Sequence, residues 1–224
     1  MISIERRTLT LTPDEDRAVG QVLSERAPAF FALLNDGLAT TLVTQPFFRR
    51  HRIVELEATG AFPARSMVLA LPETGAPRIL SAALPALNKL AGDDPPPRID
   101  GGGTARIYAN LCDEWTTESE HGELVIDSLE EIPWFDDLDP AEQGLVARLR
   151  DTFGAAIGPL EVEATASGWD VTKWLVASRM LVRRRLSVAS TGHLLRQDVV
   201  YERALPVAHG LVWGVVQGRL VPVG

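Results

Sequence analysis

Arg65 and Glu202 are the two charged side chains whose positions best fit chemistry. Arg65 opens the apolar run Ser66-Met67-Val68-Leu69-Ala70-Leu71, and Glu202 closes a second strand-like stretch just before Ala204-Leu205-Pro206. A charge on an apolar strand must reach water, a partner or a ligand, because unpaired burial is costly. On pattern alone three readings stay open: two edge charges, one salt bridge between them, or ligand contacts.

Other chemistry-bearing residues point elsewhere. The chain has no Walker-type glycine loop, dinucleotide fingerprint or nucleophile-elbow serine. Gly101-Gly102-Gly103 lacks the lysine and the helix of a phosphate cradle and reads as a linker. His51, His121, His193 and His209 show no metal-ligand spacing, so each reads as a solvated or structural histidine. Glu130-Glu131 and Asp136-Asp137 with Asp139 read as a solvated acidic face, with a hard-cation site as the alternative. Cys112 is the only cysteine, which excludes an internal disulfide and any multi-cysteine metal site. Its acidic neighbours Asp113 and Glu114 would raise a thiol pKa, so it reads as a small hydrophobe. No metal and no cofactor is expected.

These residues sit in an ordinary globular composition: 224 residues, 46% hydrophobic and 23% charged. Such a chain can bury a core without disulfides. Its net charge of −8 argues against general nucleic-acid binding, which needs cations to neutralise phosphate. The one basic cluster is Arg183-Arg184-Arg185. On a strand, Arg184 would point away from its two neighbours and break the patch. Met1 to Arg7 has no apolar core of signal-peptide length. No window approaches the roughly 18 apolar residues of a membrane span. The expectation is a soluble cytoplasmic protein with no membrane or nucleic-acid partner.

The elements that must position the candidates follow from local pattern. Thr12-Pro13-Asp14-Glu15-Asp16 is a helix start, with a cap residue, proline in the first turn and acids at the positive end. That helix runs through Val19, Val22 and Leu23 and breaks near Pro28. The apolar stretch Phe30 to Leu34 stops at Asn35-Asp36-Gly37. Arg52 to Ala58 alternates apolar and charged residues, as a half-buried strand does. Arg65 to Leu71 and Arg78 to Leu84, joined by Glu73-Thr74-Gly75-Ala76, predict a hairpin.

Asp93 to Gly103, rich in proline and glycine, predicts a loop or linker, followed by strand-like pieces at Ala105 to Leu111 and Glu123 to Ile126. Asp139-Pro140-Ala141-Glu142 is a second helix start that should fade by Phe153-Gly154. Trp169 to Val176 is either a strand or a short helix. Met180 to Val188, a turn at Ser190 to His193, and Leu194 to Leu205 predict a second hairpin. Leu211 to Val216 and Arg219 to Val221 predict a last one. Successive hairpins with few crossover helices favour an α+β fold: an antiparallel sheet with helices on one side.

Three segments, taken in order, resemble the chorismate lyase family. The first is Leu33-Leu34-Asn35-Asp36-Gly37-Leu38-Ala39-Thr40, similar to an acidic turn that ends in threonine. The second is the hairpin of Arg65 to Leu69 and Pro77 to Pro85, similar to an arginine-led strand and its return. The third runs from Val182-Arg183-Arg184-Arg185-Leu186-Ser187-Val188 to Glu202-Arg203-Ala204-Leu205-Pro206, where a glutamate stands four residues before a proline. The helix from Asp139 to Thr152 and the turn Ala156-Ile157-Gly158-Pro159-Leu160 are a weaker match. On this resemblance the chain is one domain, 1–224, with an insertion at about 86–138. The last residues, Val207 to Gly224, extend past the family's usual end.

The resemblance implies a six-stranded antiparallel sheet with helices packed on it and an internal ligand pocket. It implies that Arg65 clamps a substrate carboxylate through charge-assisted hydrogen bonds. Glu202 would face the ring oxygen and, with a pKa raised by apolar surroundings, donate a proton. Main-chain groups at Ala39 and Ile157 would contact the ligand, with Thr40 in support. The implied reaction eliminates pyruvate from chorismate, or a related enolpyruvyl cyclohexadiene, to leave a hydroxybenzoate. Ring aromatisation drives it, so the protein must mainly position the substrate and move a proton. Two alternatives use the same parts: a non-catalytic module that senses a small carboxylate, and a relative recruited to another reaction in specialised metabolism.

Overall fold

The computed structural model describes residues 4–34, 37–59, 65–117 and 122–207, and the backbone of 213–216 and 219–222. The chain falls into two compact units. The first holds residues 1–119 with Val188–Leu194, and the second holds residues 120–187 with 195–224.

The first unit is built on an antiparallel sheet of β1 (Glu5–Thr8), β2 (Leu38–Thr44), β3 (His51–Ala58), β4 (Arg65–Pro72) and β5 (Arg78–Ile79), in that order. Its helices are α1 (Pro13–Arg26), α2 (Pro28–Leu33), α3 (Leu84–Asp93) and α4 (Gly102–Thr116). The start of α1 is a capping box: the Glu15 N–H donates to Thr12 Oγ1 at 3.3 Å, and the Thr12 N–H donates to the Glu15 carboxylate at 2.9 Å.

Alternation along β3 sorts its side chains between two faces. Val54, Leu56 and Ala58 pack with Val19 and Leu23 of α1 and Phe30 of α2, and Arg52 on the same face pairs with Glu15. Glu55 points the other way. It accepts from Arg6, which also reaches Glu114 on α4 at 2.6 Å. Helices therefore lie against both faces of this sheet, not the single face expected.

Three sequence expectations change in this unit. Ala105 to Leu111 is helix, not strand. Its buried residues Ala105, Tyr108, Ala109, Cys112 and Trp115 recur at three and four, the helical period. Gly101-Gly102-Gly103 is not a linker but the N-cap and first turn of α4. The expected return strand Arg78 to Leu84 pairs only over Arg78–Ile79. Ala82 takes a positive φ of 55°, and Pro85 begins α3 in the first turn, so the chain turns away from the sheet. Ser81 Oγ still accepts the Val68 N–H at 2.8 Å. The stretch 86–138 thus supplies core: Tyr108 packs edge-on against Phe47 with ring centroids 5.0 Å apart, and Phe48 lies 6.1 Å from Trp115.

The second unit contains β6 (Glu123–Ile126), a 3-10 turn at Leu129–Glu131, α5 (Pro140–Phe153), β7 (Glu161–Thr165), β8 (Gly168–Ala177) and most of β9 (Met180–Ala189) and β10 (Leu194–Glu202), whose hairpin tip Val188–Leu194 belongs to the first unit. The sheet order is β10-β9-β8-β6, with β7 also paired to β8. The undecided stretch at Trp169 is therefore strand. Asp139 caps α5 in a second capping box, as its sequence requires. Ser178 and Arg179, both at positive φ, make the tight turn between β8 and β9. β11 (Trp213–Val216) and β12 (Arg219–Pro222) form a separate two-stranded ribbon.

The chain is α+β and antiparallel, with its strands divided between two five-stranded sheets and that ribbon. Among the described residues no helix is long and apolar enough to cross a membrane. Asn35, Asp36, His121, His209, Leu211 and Gly218 lie outside the described residues.

Candidate functional site

Arg65, Ala39 and Thr40 belong to the first unit, and Ile157 and Glu202 to the second. Neither unit alone holds both Arg65 and Glu202. Register aligns Leu38 with Ala58, and Ala58 with Arg65. Arg65 therefore stands at the end of the face that buries Leu56 and Leu69, level with the start of β2. Thr40 lies on that same face and is buried, whereas Ala39 points to the opposite one and is exposed. Ile157 is buried, and its N–H donates to the Phe153 carbonyl at 2.9 Å. Glu202, half-buried at the end of β10, accepts from the Arg203 N–H at 2.9 Å.

The second unit presents a more complete constellation around Ile157. One face of its sheet carries Thr172 and Trp174 of β8, Arg183 and Arg185 of β9, and Val199 and Tyr201 of β10. At one end Trp174, Val176 and Leu181 pack with Leu149 of α5, Ile157 and Leu205. At the other end the face opens into a cleft of about 320 Å³ lined by Asp170, Thr172, Arg183, Arg185, Gln197 and Tyr201, among others.

An aromatic trio marks the boundary between the two ends. Tyr201 lies 5.1 Å from both Phe153 and Trp174, and the Arg183 guanidinium sits 5.9 Å above the Trp174 ring. The Trp174 Nε1–H donates to the Ala156 carbonyl at 3.1 Å, which fixes the indole.

The two arginines of the cleft differ. Arg185 is bound to Asp170, and Ser187 Oγ donates to the same carboxylate at 2.6 Å. The Arg185 hydrogen bond holds the Asp170 carboxyl below the usual range, against the opposing effect of burial. Arg183, besides its place over Trp174, makes a loose ion pair with Glu161 at 3.9 Å, the two side chains being 45% and 74% exposed. Such an exposed pair is worth little, so Arg183 is the cation available to an incoming anion. Arg184 points to the opposite face, as strand alternation requires. It is buried, and its guanidinium donates to Glu123 at 2.5 Å and Asp198 at 2.7 Å.

The first unit has its own polar cluster. His51 Nδ1 lies 2.5 Å from Asp94 Oδ2, and Asp94 Oδ1 accepts the Arg50 N–H at 2.7 Å. His51 lines a cleft of about 280 Å³ with Arg50, Arg78, Asp93 and the turn Glu73 to Ala76. Arg78 reaches Asp93 at 2.6 Å, and its hydrogen bond pulls that carboxyl down.

Sequence reasoning singled out Ile157 but not the aromatic trio around it. Alternation on β8 and β10 could have placed Trp174 and Tyr201 on one face each. Nothing local could have joined them to Phe153, or His51 to Asp94. Among the described residues no group of three histidine, cysteine or acidic side chains is arranged to hold a metal ion. Comparison with family models, curated proteins and solved structures gives no match.

Proposed function

We propose that the protein binds a small cyclic carboxylic acid of the chorismate or hydroxybenzoate type on the open sheet face of the second unit. The observation that supports this is Arg183 standing over Trp174 beside Tyr201, at the edge of a cleft of about 320 Å³. A loosely paired guanidinium can take a carboxylate by a charge-assisted fork. The neighbouring aromatic surface can take the ring. The cleft is at the small end of the size range of ligand pockets.

The catalytic form of this reading is the lyase that the sequence resemblance implies, with pyruvate eliminated from chorismate. Its roles for Arg65 as carboxylate clamp and Glu202 as proton donor rest on the order of the matched segments alone, apart from the cleft at Arg183. The sensor form needs binding alone.

One set of measurements separates them. Titration with 4-hydroxybenzoate and with chorismate should change the tryptophan fluorescence, and Arg183→Ala should weaken binding at least tenfold, about 1.4 kcal/mol. Unchanged affinity in that variant would remove the site. Release of pyruvate, lost in Arg65→Ala and Glu202→Gln, supports the lyase. Binding without pyruvate release supports the sensor.

A further inference from the structure

His51 begins β3, opposite Pro72 at the end of β4, and shares a cleft with the turn Glu73 to Ala76. Its ring is fixed at one nitrogen. Nδ1–H donates to Asp94 Oδ2 at 2.5 Å, because an ionised carboxylate only accepts. Asp94 is the C-cap of α3, its side chain is fully buried, and its other oxygen accepts the Arg50 N–H. Both carboxylate oxygens are thus committed, and neutral His51 keeps its lone pair on Nε2. Among the described residues no group pairs with Nε2, yet it is not sealed from solvent, so it opens to the cleft that His51 lines. A carboxylate at one ring nitrogen and a cleft at the other is the arrangement of an oriented base.

The turn supplies complementary groups. Thr74, Gly75 and Ala76 line the cleft, and among the described residues no carbonyl accepts their N–H groups. Free backbone amides of this kind stabilise a developing oxyanion. A Cβ at Gly75 would meet nothing within 4 Å, so the turn leaves room for a ligand. The charges of the lining cancel, Arg50 and Arg78 against Glu73 and Asp93. Arg78 is held by Asp93, whereas Arg50 is exposed and makes no ion pair among the described residues. The cleft therefore suits a single negative charge and disfavours a dianion. Its volume of about 280 Å³ lies just under the usual range of ligand pockets, which restricts it to a small molecule.

We propose that this cleft hydrolyses a small carboxylic ester bearing one carboxylate, with His51 as general base. Water is the nucleophile. Nε2 takes a proton from it as the water oxygen bonds to the acyl carbon, and the acyl oxygen becomes an oxyanion held by the turn amides. The bond from the acyl carbon to the alkoxy oxygen then breaks, and the proton on Nε2 passes to that oxygen. Acid and alcohol leave, and His51 is neutral again. Asp94 is a positioning residue: it holds the ring and stabilises the imidazolium between the two steps. Arg50 takes the substrate carboxylate. The site lies wholly in the first unit and does not rest on the cleft at Arg183.

The probe is methyl hydrogen succinate, with methyl butanoate as its uncharged counterpart, and methanol release by the full chain is the readout. Hydrolysis of the succinate ester is expected, and its absence overturns the proposal. His51→Gln should lower kcat/KM by about 100-fold or more. Unchanged activity in that variant, folded by circular dichroism, also overturns it.

Arg50→Ala keeps the backbone N–H that Asp94 uses. It should raise KM for the succinate ester about tenfold and leave methyl butanoate unaffected. Equal effects on the two esters reject the site, and this surface change decides the matter if His51→Gln does not fold. Asp94→Asn cannot accept from both Nδ1 and the Arg50 N–H with its single oxygen. It should lower kcat at least about tenfold with KM little changed. A folded Asp94→Asn with full kcat would show that the aspartate is structural only and would reject the dyad.

Discussion

His51 and Asp94 form a closed pair: Nδ1 and Oδ2 are 2.5 Å apart, and the side chains are 7% and 0% exposed. Asp94 also accepts the Arg50 N–H, so one carboxylate ties the end of α3 to the first residue of β3. Asp94→Ala strands a buried imidazole and a backbone amide together. Loss of a buried partner of this kind costs about 3 kcal/mol, and the urea midpoint should fall accordingly with an unchanged slope. A shift no larger than that of a surface substitution would show that the pair adds nothing.

Tyr108 and Gly192 set a second expectation. The Tyr108 hydroxyl donates to the Gly192 carbonyl at 2.5 Å, and Gly192 holds a φ of +84°. A Cβ there would meet Pro97 Cγ at 2.6 Å and the Tyr108 oxygen at 3.2 Å. Gly192→Ala combines left-handed strain with a clash, so it should destabilise by more than Tyr108→Phe, which loses about 1 kcal/mol of hydrogen bonding. Thermal or chemical melts of the two variants side by side check the ranking.

Asp170 carries a pH dependence of defined sign. Its hydrogen bond from Arg185 depresses the folded-state pKa below the unfolded value of about 3.9. The unfolded chain therefore binds the proton more readily. The stability from this pair is present above that value and is lost as pH falls through the folded-state pKa. Between neutrality and acid, Asp170→Asn should lose stability less steeply than the unmodified chain. Parallel slopes would show that the contact does not persist in solution.

Cys112 should be inert while the chain is folded. It is fully buried, and burial pushes its thiol pKa up, with Asp113 adding to the shift and Tyr108 opposing it. Reaction with a soluble disulfide reagent near neutral pH should await opening of the first unit, so its rate should track denaturant concentration. Fast labelling under native conditions would contradict the packing of α4.

Much of the fold was legible where local chemistry is decisive. Thr12 with Glu15, and Asp139 with Glu142, marked both capped helices, because a cap is a contact between residues three apart. Arg52 to Ala58 declared a half-buried strand by its alternation. Where burial is two-sided the local signal failed. Trp169 to Val176 read equally as strand or helix, since a strand packed on both faces loses its period. Ala105 to Leu111 misled because seven residues of mixed polarity span too few helical turns to show a stripe.

The candidate site was legible only in fragments. The sequence by itself determined which side chains could serve: a lone thiol, Arg65 and Glu202 at strand ends, and an Arg183-Arg184-Arg185 run that strand geometry must split. Tertiary structure alone decided which of them meet. It set Arg65 and Glu202 in different units, brought Trp174, Tyr201 and Phe153 together, and closed His51 on Asp94 across 43 residues. The reason is physical. Caps and alternation are short-range and written in neighbouring residues. Site geometry depends on strand order and register, which the packing of the whole chain selects.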